Sequence, residues 1–171
     1  MYIYICAEAV SAQVERTHCF PLKTRLACRQ IHVFVYNKLS RQIRELARKI
    51  KEVDAEHPFR IEQSAMLLEK LYMMGLISTK WDLSLCEKVT ASCFCRRRLP
   101  VVMVRNKMSE TIKMATKLIE QAHVRVGPEV IKDPAFLVTR NLEDFVTWVD
   151  TSAIRKHVLE YNEMKDDFEG I

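Results

Sequence analysis

Glycine is scarce in this chain, with three residues in 171, at positions 75, 127 and 170. That excludes a glycine-rich phosphate loop and argues against a fold made of many tight turns. No H-E-x-x-H and no G-x-S-x-G occurs, so the common zinc-protease and hydrolase signatures are missing. The neighbouring carboxylates Glu143-Asp144 and Asp166-Asp167 would point apart on a helix or strand and do not form an acid–base pair. No catalytic residue, cofactor or metal site is therefore expected. The cysteines, at 6, 19, 28, 86, 93 and 95, contain no C-x₂-C, so the spacing of a structural zinc site is absent. Cys93 and Cys95 are too close to pair comfortably with each other, and free thiols in a reducing compartment fit best. No apolar run approaches the length of a membrane span, and no membrane association is expected. Met1–Val10 is apolar but lacks a basic start and contains Glu8, so a signal peptide is not expected either.

What is present is ordinary in amount and uneven in layout. Hydrophobic residues make up 49% and charged residues 29%, with a net charge of +5, a composition suited to a globular chain. Residues 96–125 hold eight Lys/Arg against two Glu, whereas 126–171 hold five against ten Asp/Glu. A basic block beside an acidic segment suggests a polyanion site next to a surface with another use. Uneven scatter of solvated charge would give the same totals.

Residues 1–35 show no clear period, apart from a possible short strand at Ile31–Tyr36. Leu39, Ile43, Leu46, Ile50 and Val53 then form one helical stripe, with Asn37 or Ser40 as N-cap and a basic outer face of Arg41, Arg44, Arg48, Lys49 and Lys51. The His57-Pro58 pair ends that helix. A second helix is expected over Glu62–Met74, stopped by Gly75, with Ile61, Ala65, Leu68 and Tyr72 in one apolar row beside Leu67, Leu71 and Met74. A short third helix fits within Leu83–Ala91. Pro100 suits the first turn of a helix reaching about Asn106. Ser109 or Thr111 caps the next, whose buried stripe is Ile112, Ala115, Leu118, Ile119 and Ala122. Beyond it His123–Val126, Val130-Ile131 and Phe136–Val138 read as short strands separated by Gly127-Pro128 and Asp133-Pro134. Trp148, in another strand-like run, suits the core, though a base-stacking role is open. Helices followed by short antiparallel strands make an α+β unit.

The ordered series Arg98-Leu99, Arg105, Ala115, Leu118-Ile119, His123-Val-Arg-Val126, Val130 and Pro134-Ala-Phe136 resembles the S4 RNA-binding domain. The flanking runs Tyr36-Asn-Lys-Leu-Ser-Arg41, Leu67-Leu-Glu-Lys-Leu-Tyr72, Phe94-Cys-Arg-Arg-Arg-Leu-Pro100, Asp144-Phe-Val-Thr-Trp-Val-Asp150 and His157-Val-Leu-Glu-Tyr-Asn162 resemble the family of S4-domain subunits of the U3 small nucleolar ribonucleoprotein. The resemblance implies an S4-type (alpha-L) domain of two helices and a small antiparallel sheet at 96–150. Around it lie an unassigned segment at 1–35, a helical region at 36–95 and an acidic segment at 151–171. The S4 pattern has glycine before the His-Val strand where this chain has Ala122, and residues 1–35 do not resemble the family's basic arm.

For such a unit Arg97, Arg98, Arg105, Lys107, Thr111, Lys113, Lys117, His123 and Arg125 are the candidate RNA contacts. Arginine can grip phosphate bidentately while lysine acts as a point charge, and A-form RNA is read by shape and backbone. Arg97, Arg98 and Lys117 are expected to be exposed. His123 could donate to phosphate or serve only the fold. The resemblance further implies a nucleolar assembly factor of the small-subunit processome, acting on U3 RNA and pre-ribosomal RNA beside an M-phase phosphoprotein scaffold and other processome proteins. Two alternatives stand beside it: a ribosomal protein of the S4 family, and a helical protein-interaction module with an incidental basic face. A modifying enzyme carrying an S4 domain would need more chain than this one has.

Overall fold

The computed structural model describes residues 25–162, with side chains from residue 32 onward. They fall into two compact units, one reaching Leu99 and including Ala135–Arg140, the other formed by Pro100–Pro134 and the chain from Asn141 onward. The expectations for residues 1–24 and for the end of the acidic segment lie outside the described residues.

The first unit is helical. Helix α1 spans Arg25–Glu52, α2 Pro58–Met73, α3 Ser84–Glu87 and α4 Ala91–Arg96. Helix α1 starts well before Leu39, which corrects both the strand expected at Ile31–Tyr36 and the caps expected at Asn37 and Ser40. The alternating Ile31, Val33 and Val35 suggested a strand, yet His32, Tyr36, Ser40, Ala47 and Ile50 form the buried side of the helix. Polar and small residues on that stripe hid its period. Ser40 Oγ donates to the Asn37 carbonyl inside the helix (2.9 Å), the local bond that serine offers in mid-helix.

The core of this unit joins Tyr36, Ala47 and Ile50 of α1 to Leu67, Leu68 and Leu71 of α2, with Ile77, Cys86, Val89 and Phe94. Tyr36 stacks on Phe94 with ring centroids 5.4 Å apart, a contact worth about 0.5–1.5 kcal/mol beyond buried area. Of the apolar row expected on α2, Leu68 is buried, but Ile61 is 58% exposed. Pro58 occupies the first turn of α2, and His57 Nδ1 accepts from the Phe59 N–H as N-cap (3.2 Å); the pair that ends α1 thus also begins α2. The helix expected within Leu83–Ala91 is there but short, α3, and α4, which follows from Ala91, was not anticipated.

The second unit holds α5 (Leu99–Arg105, beginning at the last residue of the first unit), α6 (Ile112–Glu120), strands β1 (Val124–Val126), β2 (Glu129–Val130) and β3 (Val146–Trp148), and α7 (Ala153–Tyr161). The three strands form one antiparallel sheet in the order β2-β1-β3. Val102 and Met103 of α5, Ala115, Leu118 and Ile119 of α6, and Val124, Val126 and Val146 of the sheet are buried. Phe136–Val138, expected as a strand, makes only a single bridge, Leu137 to Arg98, within the first unit. Helices beside a small antiparallel sheet give the α+β class read from the sequence.

Helix ends explain how the fold manages with so little glycine. At the end of α2 the Leu76 N–H reaches the Leu71 carbonyl (3.0 Å) and the Gly75 N–H that of Tyr72 (2.9 Å). The same paired bonds recur after α5, from Met108 to Met103 and Lys107 to Val104, and after α6, from His123 to Leu118 and Ala122 to Ile119. This motif needs one left-handed residue, normally glycine. Gly75 fills it once, with φ +71°; Lys107 (φ 57°) and Ala122 (φ 62°) fill it twice without glycine, at a backbone cost of about 1–2 kcal/mol each. The glycine of the S4 pattern has its physical reason at Ala122.

Candidate nucleic-acid interface

In the second unit, α6 carries the plainest cationic surface. Thr111 caps it, its Oγ1 accepting from the Met114 N–H (3.3 Å), and this hydrogen bond fixes where the helix starts. With Ala115, Leu118 and Ile119 buried on one side, Lys113 and Lys117 lie four residues apart on the exposed side. Lys107, held left-handed at the end of α5, is exposed as well. None of these three lysines has a carboxylate partner among the described residues. Their ammonium groups are open to an outside anion.

The arginines of this unit are already engaged. Arg105 of α5 pairs with Glu143. Arg125 stands in the central strand with Thr147 directly across on β3 and Val130 across on β2. The flanking Val124 and Val126 turn into the core, so Arg125 belongs to the open face of the sheet. Its Nε donates to Thr147 Oγ1 (3.1 Å) and its Nη1 to Asp150 (2.6 Å). Exposed ion pairs of this kind are worth about 0–1 kcal/mol, so they orient the guanidinium without closing it to a competing phosphate. His123 Nδ1 lies 2.9 Å from Ser152 Oγ. That hydroxyl is buried and caps α7 by accepting from the Ile154 N–H (3.3 Å). The structural use of His123 is therefore visible, while its second ring nitrogen decides any contact with phosphate.

Arg97 and Arg98 belong to the first unit, and here one expectation is corrected. Arg97 is 6% exposed. Its Nε and Nη2 donate to the Val138 carbonyl at 3.0 and 2.8 Å, and its own backbone carbonyl accepts from the Val138 N–H at 2.8 Å. Arg97 thus ties the segment Ala135–Arg140 to the end of α4. Arg98, expected to be exposed, is half-buried and its backbone bridges Leu137. In the triplet only Arg96 is exposed. The charge run concealed an inward arginine because an alternating local chain direction cannot be read from three identical side chains.

Two further arginines, outside the candidate set, are engaged as well. Arg140 donates to the carbonyls of Tyr72 (3.2 Å) and Ile77 (2.9 Å) and lies over the Tyr72 ring, 4.2 Å from its centroid. Arg155 of α7 pairs with Asp150; Ser152, three residues earlier, is the capping signal that would have placed it in a first helical turn. Among the described residues no group of three or more His, Cys, Asp or Glu is arranged to hold a metal, and no helix is long and apolar enough to cross a membrane.

Two short helices beside a small antiparallel sheet make an S4-type unit, and the S4 domain family matches residues 97–144. Residues 21–96 match the N-terminal domain of ribosomal protein S4/S9. The chain is 57% identical over 134 residues to the U3 small nucleolar ribonucleoprotein protein IMP3 of Mus musculus, covering 78% of this chain and 73% of that protein. It is 55% identical over 135 residues to the protein of the same name from Saccharomyces cerevisiae, covering 78% and 74%. The small ribosomal subunit protein uS4 of Caldivirga maquilingensis is 36% identical over 121 residues, with 69% and 65% covered. The chain belongs to the IMP3 family of U3 small nucleolar ribonucleoprotein proteins.

Proposed function

We propose that this chain is a non-catalytic RNA-binding subunit of the U3 small nucleolar ribonucleoprotein, acting in the nucleolus in pre-18S ribosomal RNA processing and small-subunit assembly. Its role is to promote or hold the pairing of U3 RNA with the ribosomal RNA precursor, beside the M-phase phosphoprotein scaffold and other processome proteins. The observation that carries this reading is the 57% identity to IMP3 over most of both chains. The S4 unit supports it through Lys107, Lys113 and Lys117, whose charges are not neutralised by carboxylates among the described residues. Of the candidate residues, Arg105, Arg125, Thr111 and His123 stand in the same unit as supporting contacts. Arg98, in the first unit, is a candidate contact by itself. Arg97 acts on the fold.

A ribosomal protein of the S4 family is the second reading, and it rests on the lower identity to uS4. The two separate by experiment. Addition of the full chain should speed annealing of a U3 RNA segment to its pre-ribosomal target, and immunoprecipitation should recover U3 RNA. Recovery of mature small subunits without U3 RNA would favour the ribosomal reading.

A further inference from the structure

On the open side of the second unit one carboxylate is shared by two guanidinium groups. Asp150, in the turn before α7, accepts from Arg125 Nη1 of β1 through one oxygen (2.6 Å) and from Arg155 Nη1 of α7 through the other. All three side chains are partly open to solvent, at 34% for Arg125, 35% for Arg155 and 56% for Asp150. Arg125 is held in place by Thr147 across the sheet, while Arg155 has its backbone in the first turn of α7, which Ser152 caps, and its guanidinium donates to Asp150. Two guanidinium groups thus converge on a single monoanion with two acceptor oxygens. A phosphodiester presents the same charge and the same pair of terminal oxygens.

We infer that Arg125 and Arg155 form a phosphodiester-binding site for the RNA backbone, with Asp150 as a resident carboxylate that occupies it until RNA displaces it. This rests on the RNA-binding reading above and adds Arg155 to the contacts and a competing group to the site. Exposed pairs of this type are weak, so a phosphate drawn in by several further contacts can take Asp150's place. Asp150 lowers the resting charge of the site from +2 to +1. Its effect is to weaken RNA binding and flatten its dependence on salt.

The test uses the full chain, a fluorescently labelled A-form RNA hairpin, and a salt series. Asp150→Asn removes the competing charge and should tighten binding by roughly threefold to tenfold. The salt slope should steepen by roughly 0.7–0.9 for each additional phosphate neutralised. Adding Arg155→Gln to Asp150→Asn should cancel the tighter binding, and Arg155→Glu alone should weaken binding. Melting temperatures of each variant are measured in parallel; if Asp150→Asn fails to fold, Arg155→Glu, on a partly exposed residue, still decides the matter. Unchanged affinity and slope in folded Asp150→Asn, or unchanged binding in folded Arg155→Glu, overturns the site. The control is Lys113→Glu/Lys117→Glu. If it weakens binding while the Asp150 and Arg155 variants do nothing, only this inference fails; if it too is silent, the RNA-binding reading fails with it.

Discussion

A Cβ built on Gly75 would lie 2.8 Å from both Cζ and Nε of Arg97. The glycine that ends α2 and the arginine that was expected to face RNA are thus one packing unit. Gly75→Ala should destabilise the chain by about 2 kcal/mol or more, because it adds both left-handed strain and a clash with a guanidinium fixed by hydrogen bonds. Arg97→Lys should also lower stability, since lysine cannot repeat the paired donation to the Val138 carbonyl. Denaturant unfolding of both variants checks this; wild-type stability in Arg97→Lys would contradict the structural role.

Ala122 offers the opposite sign. Its φ of 62° is strained for alanine and free of strain for glycine. Ala122→Gly should therefore stabilise the second unit by about 1 kcal/mol, read as a higher unfolding midpoint at unchanged slope. A loss of stability would show that the extra backbone freedom of the unfolded glycine chain outweighs the strain.

These two sites also mark how far the sequence could be read. The stop at Gly75 was legible, and the cap of α6 was narrowed to Ser109 or Thr111, because each uses a residue type suited to its position. Of the stripe read as Ile112, Ala115, Leu118, Ile119 and Ala122, the middle three are buried, whereas Ile112 in the first turn is 52% exposed, because spacing marks a helix face but not where the core ends along it. The first turns of α1 were not, since His32 and Ser40 occupy buried positions that carry no hydropathy signal. The orientation of Arg97 was not legible either, because it depends on Val138, 41 residues away. In the candidate interface, the exposed Lys113 and Lys117 followed from helical spacing alone. The engagement of Arg105 with Glu143 and of Arg125 with Asp150 is long-range and was invisible.

Lys113 and Lys117 supply a direct test of the interface. Reversing both to Glu should leave stability within about 0.5 kcal/mol, as is usual for exposed positions. RNA affinity should fall at low salt, and the salt slope should shrink by roughly 1.4–1.8, the sum for two phosphates. Fluorescence anisotropy across a salt series reads both quantities. Affinity equal to wild type at low salt would remove α6 from the interface.

Cys86 gives a pH signature. Burial, reinforced by Asp82 and Glu87, pushes its thiol up to about 11. The folded chain therefore holds this proton more tightly than the unfolded chain does. Its contribution to stability is intact below about pH 9 and is lost as pH rises through 9 toward 11. A thiol reagent near pH 8 should label the half-buried Cys93 and Cys95 well before Cys86. Equal labelling rates would contradict the packing of α3.

In the function proposed above, this chain contacts U3 RNA and its pre-ribosomal target through the S4 unit. Ultraviolet crosslinking in cells, followed by sequencing of the bound RNA and mapping of the crosslinked peptides, tests it most directly. Reads should concentrate on U3 RNA and the pre-18S region, with crosslinked peptides from residues 105–125. Reads at background on U3 RNA, or crosslinks confined to residues outside the S4 unit, would contradict it.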